Sequence, residues 1–319
     1  MFIELIKAAV LGGVEGISEW LPISSTGHMI LVQDIIKMNV TADFWDVFLV
    51  VIQLGAILAV IDLYFRTLNP FSRNKNRQQR KATWSIWGKI LVGSIPAALV
   101  GLALDSWAEE HLDTPLVVAI ALVVYGIAFL VIELHNRRNL AVAEAMGLTA
   151  PERLAAYQGI EADSREELSD TELDPSSAIS KVNDLSQLGY GRAFLIGCFQ
   201  SLAVVPGTSR SGSTIIGSML VGTNRSVATE FAFFLAIPIM FGWSLLKFVK
   251  HGFGYTPLEW GILAIGCIVA FVVSLFSIRF LVGYVKRHDF RLFGWYRIVL
   301  GVIVIAYFAA TGQLFTIVS

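Results

Sequence analysis

Charge is scarce in this sequence. Asp, Glu, Lys and Arg make up 15% of the 319 residues, against 55% hydrophobic ones, and that balance excludes an ordinary soluble globular domain. Neither sign prevails. The formal net charge is -1, so there is no broad basic field and nucleic acid is not an expected partner. Cysteine is nearly absent: Cys198 and Cys267 both sit in apolar runs, without CxxC spacing or a neighbouring histidine. Thiol-based metal or redox chemistry is therefore excluded, and both read as small core residues. The opening stretch MFIELIKAAVLGGVEG has no basic segment ahead of its apolar residues and carries a glutamate where a signal peptide would be most hydrophobic. It is expected to stay on the mature chain.

Long apolar runs are abundant. A helix needs about 20 apolar residues to cross the hydrocarbon core, and six segments qualify: 44–65, 85–104, 115–134, 226–249, 258–282 and 293–311. Two more, 2–38 and 190–222, are broken by Pro22-Ile23-Ser24-Ser25-Thr26-Gly27 and by Pro206-Gly207-Thr208-Ser209-Arg210-Ser211-Gly212. Neither half of either segment crosses comfortably alone, so a re-entrant hairpin is expected rather than a kinked span. The loop with Arg66, Arg73, Lys75, Arg77, Arg80 and Lys81 holds no acid, which places it in the cytoplasm by the positive-inside rule. The loop with Asp105, Glu109, Glu110 and Asp113 then lies outside.

On that count the two hairpins enter from opposite sides and each precedes three spans. The expected fold is an all-α polytopic membrane protein, with six transmembrane helices plus two re-entrant helical hairpins in an inverted-topology repeat. Its parts would be 1–134, a cytoplasmic acidic loop insertion over 135–189, and 190–319. A shift of 185 positions aligns Gly12 with Gly197, Glu15 with Gln200, Ser24 with Ser209, Ser25 with Arg210 and Gly27 with Gly212. Inverted repeats of broken helices bring both breaks to one site near the midplane. The 135–189 segment, with Glu161, Asp163, Glu166, Glu167, Asp170, Glu172 and Asp174, reads as a solvated cytoplasmic loop, partly helical and partly disordered, to which no chemistry is assigned.

Glu15 and Glu19 stand four residues apart in an apolar helix, which stacks both carboxylates on one face to share a proton, a cation or a substrate. Pro22 ends that helix, and Ser24, Ser25 and Thr26 offer N-cap hydroxyls to the next. The free amides of that helix start, through Gly27, make an anion site. Ser25 is where hydroxyl, amides, acids and His28 converge, with His28 one turn on and spaced for proton transfer. In the second break, Arg210 is the sole charge between Arg192 and Arg225. It needs an anion, either Glu15 or Glu19 as a lock or the phosphate oxygens that its fork matches. Gly207, Ser209, Ser211, Gly212, Ser213 and Thr214 surround it with amides and hydroxyls. Gln53 and Glu230 are lone polar residues at spans, candidates for supporting groups.

Glu15-x-x-x-Glu19, Pro22-Ile-Ser-Ser-Thr-Gly-His28 and Pro206-Gly-Thr-Ser-Arg-Ser-Gly-Ser-Thr214 resemble the undecaprenyl pyrophosphate phosphatase family of the bacitracin-resistance type, over nearly the whole chain. The 135–189 insertion is longer than expected for that family. The resemblance implies hydrolysis of undecaprenyl diphosphate to the monophosphate carrier of peptidoglycan synthesis, in a bacterial inner membrane, at a site facing the periplasm or exterior. It also implies a divalent cation, Mg2+ or Ca2+, held near Glu15 and Glu19, with Arg210 clamping the diphosphate. Ser25 is the preferred nucleophile, with Glu19 or His28 as base; His28 or water as nucleophile stays open. The expected partners are the membrane and the polyprenyl diphosphate, and a homodimer is left open. A secondary transporter or lipid flippase would use the same architecture but needs only binding groups. A phosphatidic-acid-phosphatase type is disfavoured by Ile216, where a histidine six residues after Arg210 would be needed.

Overall fold

A computed structural model describes residues 2–145, 174–252 and 254–317. Backbone polar groups have no water to bond within a bilayer, so apolar segments satisfy them internally as helices. Six helices are long and apolar enough to cross: α3 (Ala42–Leu63), α5 (Arg77–Leu112), α6 (Pro115–Ala145), α9 (Arg225–His251), α10 (Pro257–Arg287) and α11 (Arg291–Ala310). They match the six expected runs. Polar N-caps fix four of the starts, namely Thr41, Asn76, Asn224 and Thr256, two of them with a reciprocal Gln79 or Glu259 bond. Helix α5 runs well past its apolar run at both ends, because polar residues such as Gln79 and Glu109 propagate a helix as readily as apolar ones. A short helix, α4 (Phe65–Leu68), precedes it. No strand occurs among the described residues, only an isolated bridge between Val182 and Thr223.

The broken segments give α1 (Phe2–Ser18) with α2 (Ser25–Ile36), and α7 (Tyr190–Gln200) with α8 (Arg210–Leu220). Their packing is reciprocal. Helix α1 lies along α10, the second span of the other half, while α7 lies along α5, the second span of the first. The third spans, α6 and α11, pair with each other. Glycine makes both crossings possible: a Cβ on Gly12 would collide with the Gly266 carbonyl, and one on Gly197 with the Gly93 carbonyl. Gly12 and Gly197 are the positions that the 185-residue shift aligned. Around this core, large side chains such as Leu99, Leu102, Val131, Phe276 and Phe280 point outward, as lipid-facing surfaces require.

The 135–189 segment is not one solvated loop. Residues up to Ala145 continue α6, and the acids from Glu161 to Glu172 lie outside the described residues. Beyond them, Pro175–Ala178 and Leu185–Gln187 form short 3-10 helices against the body, burying Val182 and Leu188. Asp174, expected in water, is 5% exposed. It accepts bonds from the Ser176 and Ser226 amides at 2.9 Å each and faces Arg225 Nη1 at 3.6 Å. Arg225 is in turn forked onto the fully buried Glu133 at 2.8 and 2.6 Å. Composition reported the acids of this segment but not the buried arginine that collects one of them.

Candidate active site

Both breaks are built on the same turn. Ser24 caps α2 by accepting from the Gly27 amide at 3.3 Å, and Ser209 caps α8 by accepting from the Gly212 amide at 3.1 Å. Ser24 and Ser209 have φ of 72° and 70°, a left-handed region that costs a residue with a side chain about 1–3 kcal/mol and clusters at functional sites. Just before the second cap, Gly207 has φ of 86°, and a Cβ there would lie 2.5 Å from the Val118 carbonyl oxygen. Only glycine fits. The N-terminal ends of α2 and α8 thus meet as two partly positive helix starts.

Glu19 joins them. Ser25 Oγ donates to Glu19 Oε2 at 2.7 Å, and Arg210 donates to Glu19 Oε1 through Nη2 at 3.1 Å and Nε at 3.4 Å. Arg210 Nη1 donates to the Ala232 carbonyl at 2.8 Å, and its guanidinium sits 5.8 Å from the Trp20 ring centre. Ser211 Oγ ties the second break to the Glu19 carbonyl at 3.0 Å. The carboxylate therefore orients the serine and pairs with the arginine; of the two acids that could have locked Arg210, the contact is with Glu19. Glu15 is 2% exposed and its Oε1 has no hydrogen-bond partner among the described residues.

Two cavities meet at Ser25. One, of about 240 Å³, is lined by Glu19, Gln200, Gly207, Ser209 and Arg210; the other, of about 320 Å³, by Glu15, Asp46, Asp105, Glu109, Asp113 and Lys247. Ser25, Thr26, Gln53, Asp105 and Trp243 line both. At the rim, burial and then the nearby Glu109 and Asp46 carboxylates push the Asp113 carboxyl above its usual range. Among the described residues no cluster of three or more His, Cys, Asp or Glu side chains gathers to hold an ion. The idle Oε1 of Glu15, the Glu19 carboxylate, the Ser25 hydroxyl and the Gln53 amide are nonetheless hard oxygen donors. That set fits a Mg2+ or Ca2+ ion, which takes one or two carboxylates and completes its shell from phosphate and water.

Several expected groups face elsewhere. The Ser24 hydroxyl caps α2 by accepting from the Gly27 amide, and that of Ser209, though its residue lines the smaller cavity, caps α8 through the Gly212 amide and lies 3.2 Å from Ser211 Oγ. Ser213 and Thr214 hydroxyls donate to the Arg210 carbonyl at 3.1 and 2.7 Å, within their own helix. His28 is one turn from Ser25, but Nδ1 lies 2.7 Å from the Ser24 carbonyl oxygen and Nε2 2.7 Å from Tyr296 Oη. A carbonyl can only accept, which assigns the proton to Nδ1 and leaves Nε2 of a neutral ring to accept from the tyrosine. Gln53 lines both cavities, whereas Glu230 lines neither.

A sequence profile of the bacitracin resistance protein BacA family matches residues 8–303, a span that contains both breaks. The chain belongs to that family. An undecaprenyl-diphosphatase of Limosilactobacillus fermentum is 50% identical over 310 residues, covering 96% of this chain and 98% of the relative. Undecaprenyl-diphosphatases of Lactiplantibacillus plantarum and Acetivibrio thermocellus are 48% and 47% identical, covering 96% and 97% of this chain and 98% and 99% of the relatives.

In this BacA-family chain one residue at the breaks escaped sequence reasoning. Arg297, on α11, is fully buried. Its Nη2 donates to the Gly207 and Thr208 carbonyls at 2.9 and 2.8 Å and its Nη1 to the Pro22 carbonyl at 3.3 Å. It also lies 5.4 Å from the Tyr125 ring centre. One guanidinium so bridges both breaks through carbonyls that the interrupted helices leave unpaired. The signal was available: a lone arginine inside an apolar span is a functional-site hypothesis by default.

Proposed function

We propose that the chain is a membrane phosphatase that hydrolyses undecaprenyl diphosphate to undecaprenyl phosphate and inorganic phosphate. This recycles the lipid carrier for peptidoglycan synthesis and confers resistance to bacitracin. The observation that carries the mechanism is the contact line from Ser25 Oγ through Glu19 to Arg210, at 2.7 and 3.1 Å. Glu19 accepts the Ser25 proton as Oγ attacks the terminal phosphorus, and the bond to the undecaprenyl phosphate oxygen breaks. Water then attacks the phosphoserine and its proton stays on the departing inorganic phosphate, while Glu19 returns its own proton to Ser25 Oγ as the P–O bond breaks, so the serine is regenerated. Arg210 and the amides at the starts of α2 and α8 stabilise the charge on the non-bridging oxygens. Glu15 and Glu19 would hold the divalent cation, which when bound neutralises part of the diphosphate charge. His28 holds the Ser24 turn through its Nδ1 bond rather than taking the serine proton.

We read the two breaks as tips of re-entrant hairpins inserted from opposite faces of a bacterial inner membrane. In support, α2, α7 and α8 have 12, 11 and 11 residues, and at about 1.5 Å per residue none spans a core of roughly 30 Å. The cavity that reaches Ser25 is rimmed by Asp105, Glu109 and Asp113 at the C-terminal end of α5. The basic cluster around Arg77 and Arg80 lies at the opposite end of that helix. This supports a site opening to the periplasm or exterior.

The test is phosphate release from a C55 diphosphate by purified protein in detergent, with and without chelator. Glu19→Gln, Ser25→Ala and Arg210→Ala are each expected to abolish most of it, and undiminished release in all three would refute the site. Labelled phosphate trapped on Ser25 distinguishes the covalent route from direct attack by water.

A further inference from the structure

Gln200 closes α7 at the threshold of the second break. It occupies the place that Glu15 occupies in the first half, 185 residues earlier. Gln200 is 1% exposed, and neither its Oε1 nor its Nε2 has a hydrogen-bond partner among the described residues. An amide with both ends idle in a protein interior is uncommon, because each end has given up its bonds to water. Gln200 is among the residues that line the cavity of about 240 Å³, with Glu19, Ser25, Ser209 and Arg210.

We propose that Gln200 is a substrate-binding residue, whose Nε2–H donates to a non-reacting oxygen of the diphosphate held between Ser25 and Arg210. The inference rests on the phosphatase reading above and adds a donor that the motifs did not supply.

Two features argue for an amide here. The fork of Arg210 is already engaged, with Nη1 on the Ala232 carbonyl and Nη2 and Nε on Glu19, so one arginine cannot serve the oxygens of two phosphoryl groups alone. The cavity wall also carries the Glu19 and Asp105 carboxylates, and a further acid would repel the substrate that an uncharged donor attracts. The repeat thus places a carboxylate at Glu15, where a cation is wanted, and its uncharged counterpart at Gln200, where the anion lies. A donor left unpaired in the free protein and paired in the complex favours binding, since no internal bond has to break first.

Gln200→Leu keeps the volume and removes both polar atoms. In detergent-purified protein with Mg2+, it is expected to melt at or above the wild-type temperature, because an unsatisfied buried amide has been deleted. The KM for undecaprenyl diphosphate should rise about tenfold or more, with a smaller change in kcat, as expected for loss of a bond to a charged group. Gln200→Glu should raise KM further. Inorganic pyrophosphate, used as a non-lipid probe, should raise the melting temperature of wild type at least twice as much as that of Gln200→Leu. KM and the pyrophosphate shift both within twofold of wild type in Gln200→Leu would overturn the assignment, as would a lowered melting temperature with unchanged KM. A wild type that pyrophosphate fails to stabilise would also overturn it. Absence of phosphate release from wild type would refute the phosphatase reading instead, and the pyrophosphate comparison would then decide Gln200 by itself.

Discussion

Replacing Arg297 separates the geometry of the two breaks from the stability of the bundle. Arg297→Leu removes donors from the Gly207 and Thr208 carbonyls at 2.9 and 2.8 Å and from the more distant Pro22 carbonyl at 3.3 Å. Bonds to a charged donor contribute about 1.5–3 kcal/mol each, so the two short ones together represent roughly 3–6 kcal/mol. Against this stands the cost of burying a guanidinium with no carboxylate partner among the described residues, several kcal/mol that the variant recovers. The two terms nearly offset. A melting temperature within a few degrees of wild type is therefore expected. Activity should not be spared, since the carbonyl bonds set the distance between the breaks, and misplacing reacting groups by ~1 Å costs on the order of 100-fold. The expected result is a kcat for C55 diphosphate hydrolysis reduced about 100-fold in a folded protein. Arg297→Lys should not rescue it, because one ammonium cannot reach the carbonyls of both breaks as the two arms of a fork do. A kcat within threefold of wild type in Arg297→Leu would refute the assignment of Arg297 as the link between the breaks.

Glu19→Gln should lower kcat by roughly 100- to 10,000-fold, the usual contribution of a positioned base, measured by phosphate release at saturating substrate. Tyr296→Phe, which removes only the bond to His28 Nε2, should leave kcat within about threefold; a loss comparable to Glu19→Gln would return His28 to the role of base. Arg225→Met strands the buried Glu133 and should destabilise by about 3–5 kcal/mol. Thermal unfolding of the Glu133→Met, Arg225→Met double variant should show part of that loss recovered. Gly197→Leu should prevent α7 from seating on α5, seen as failure to purify a monodisperse protein in detergent, whereas Leu at the open Gly191 should be tolerated.

The spans, the breaks and the need of Arg210 for an anion were legible because each depends on a local pattern, whereas the choice of Glu19 over Glu15 was not. Apolar runs report membrane helices, Pro22 and Pro206 report interruptions, and a lone Arg210 in apolar sequence demands an anion. Contacts made only in three dimensions were not legible. His28 is spaced to reach Ser25 along the helix, but Tyr296 arrives from a distant span and takes its free nitrogen. Asp174 counted as one more acid of a soluble loop until Arg225, 51 residues on, buried it. Thr214 looked like a ligand because of its neighbours, yet a threonine inside a helix bonds the carbonyl four residues back.

The reciprocal packing of the two broken segments bears on what the molecule can do mechanically. Alternating access requires one repeat to rock as a body against the other around a fixed site. Here α1 is fastened to α10 and α7 to α5 through glycine crossings, and Arg297 fastens both breaks to α11. Rocking would have to part all of these contacts together. The arrangement suits a rigid reaction vessel.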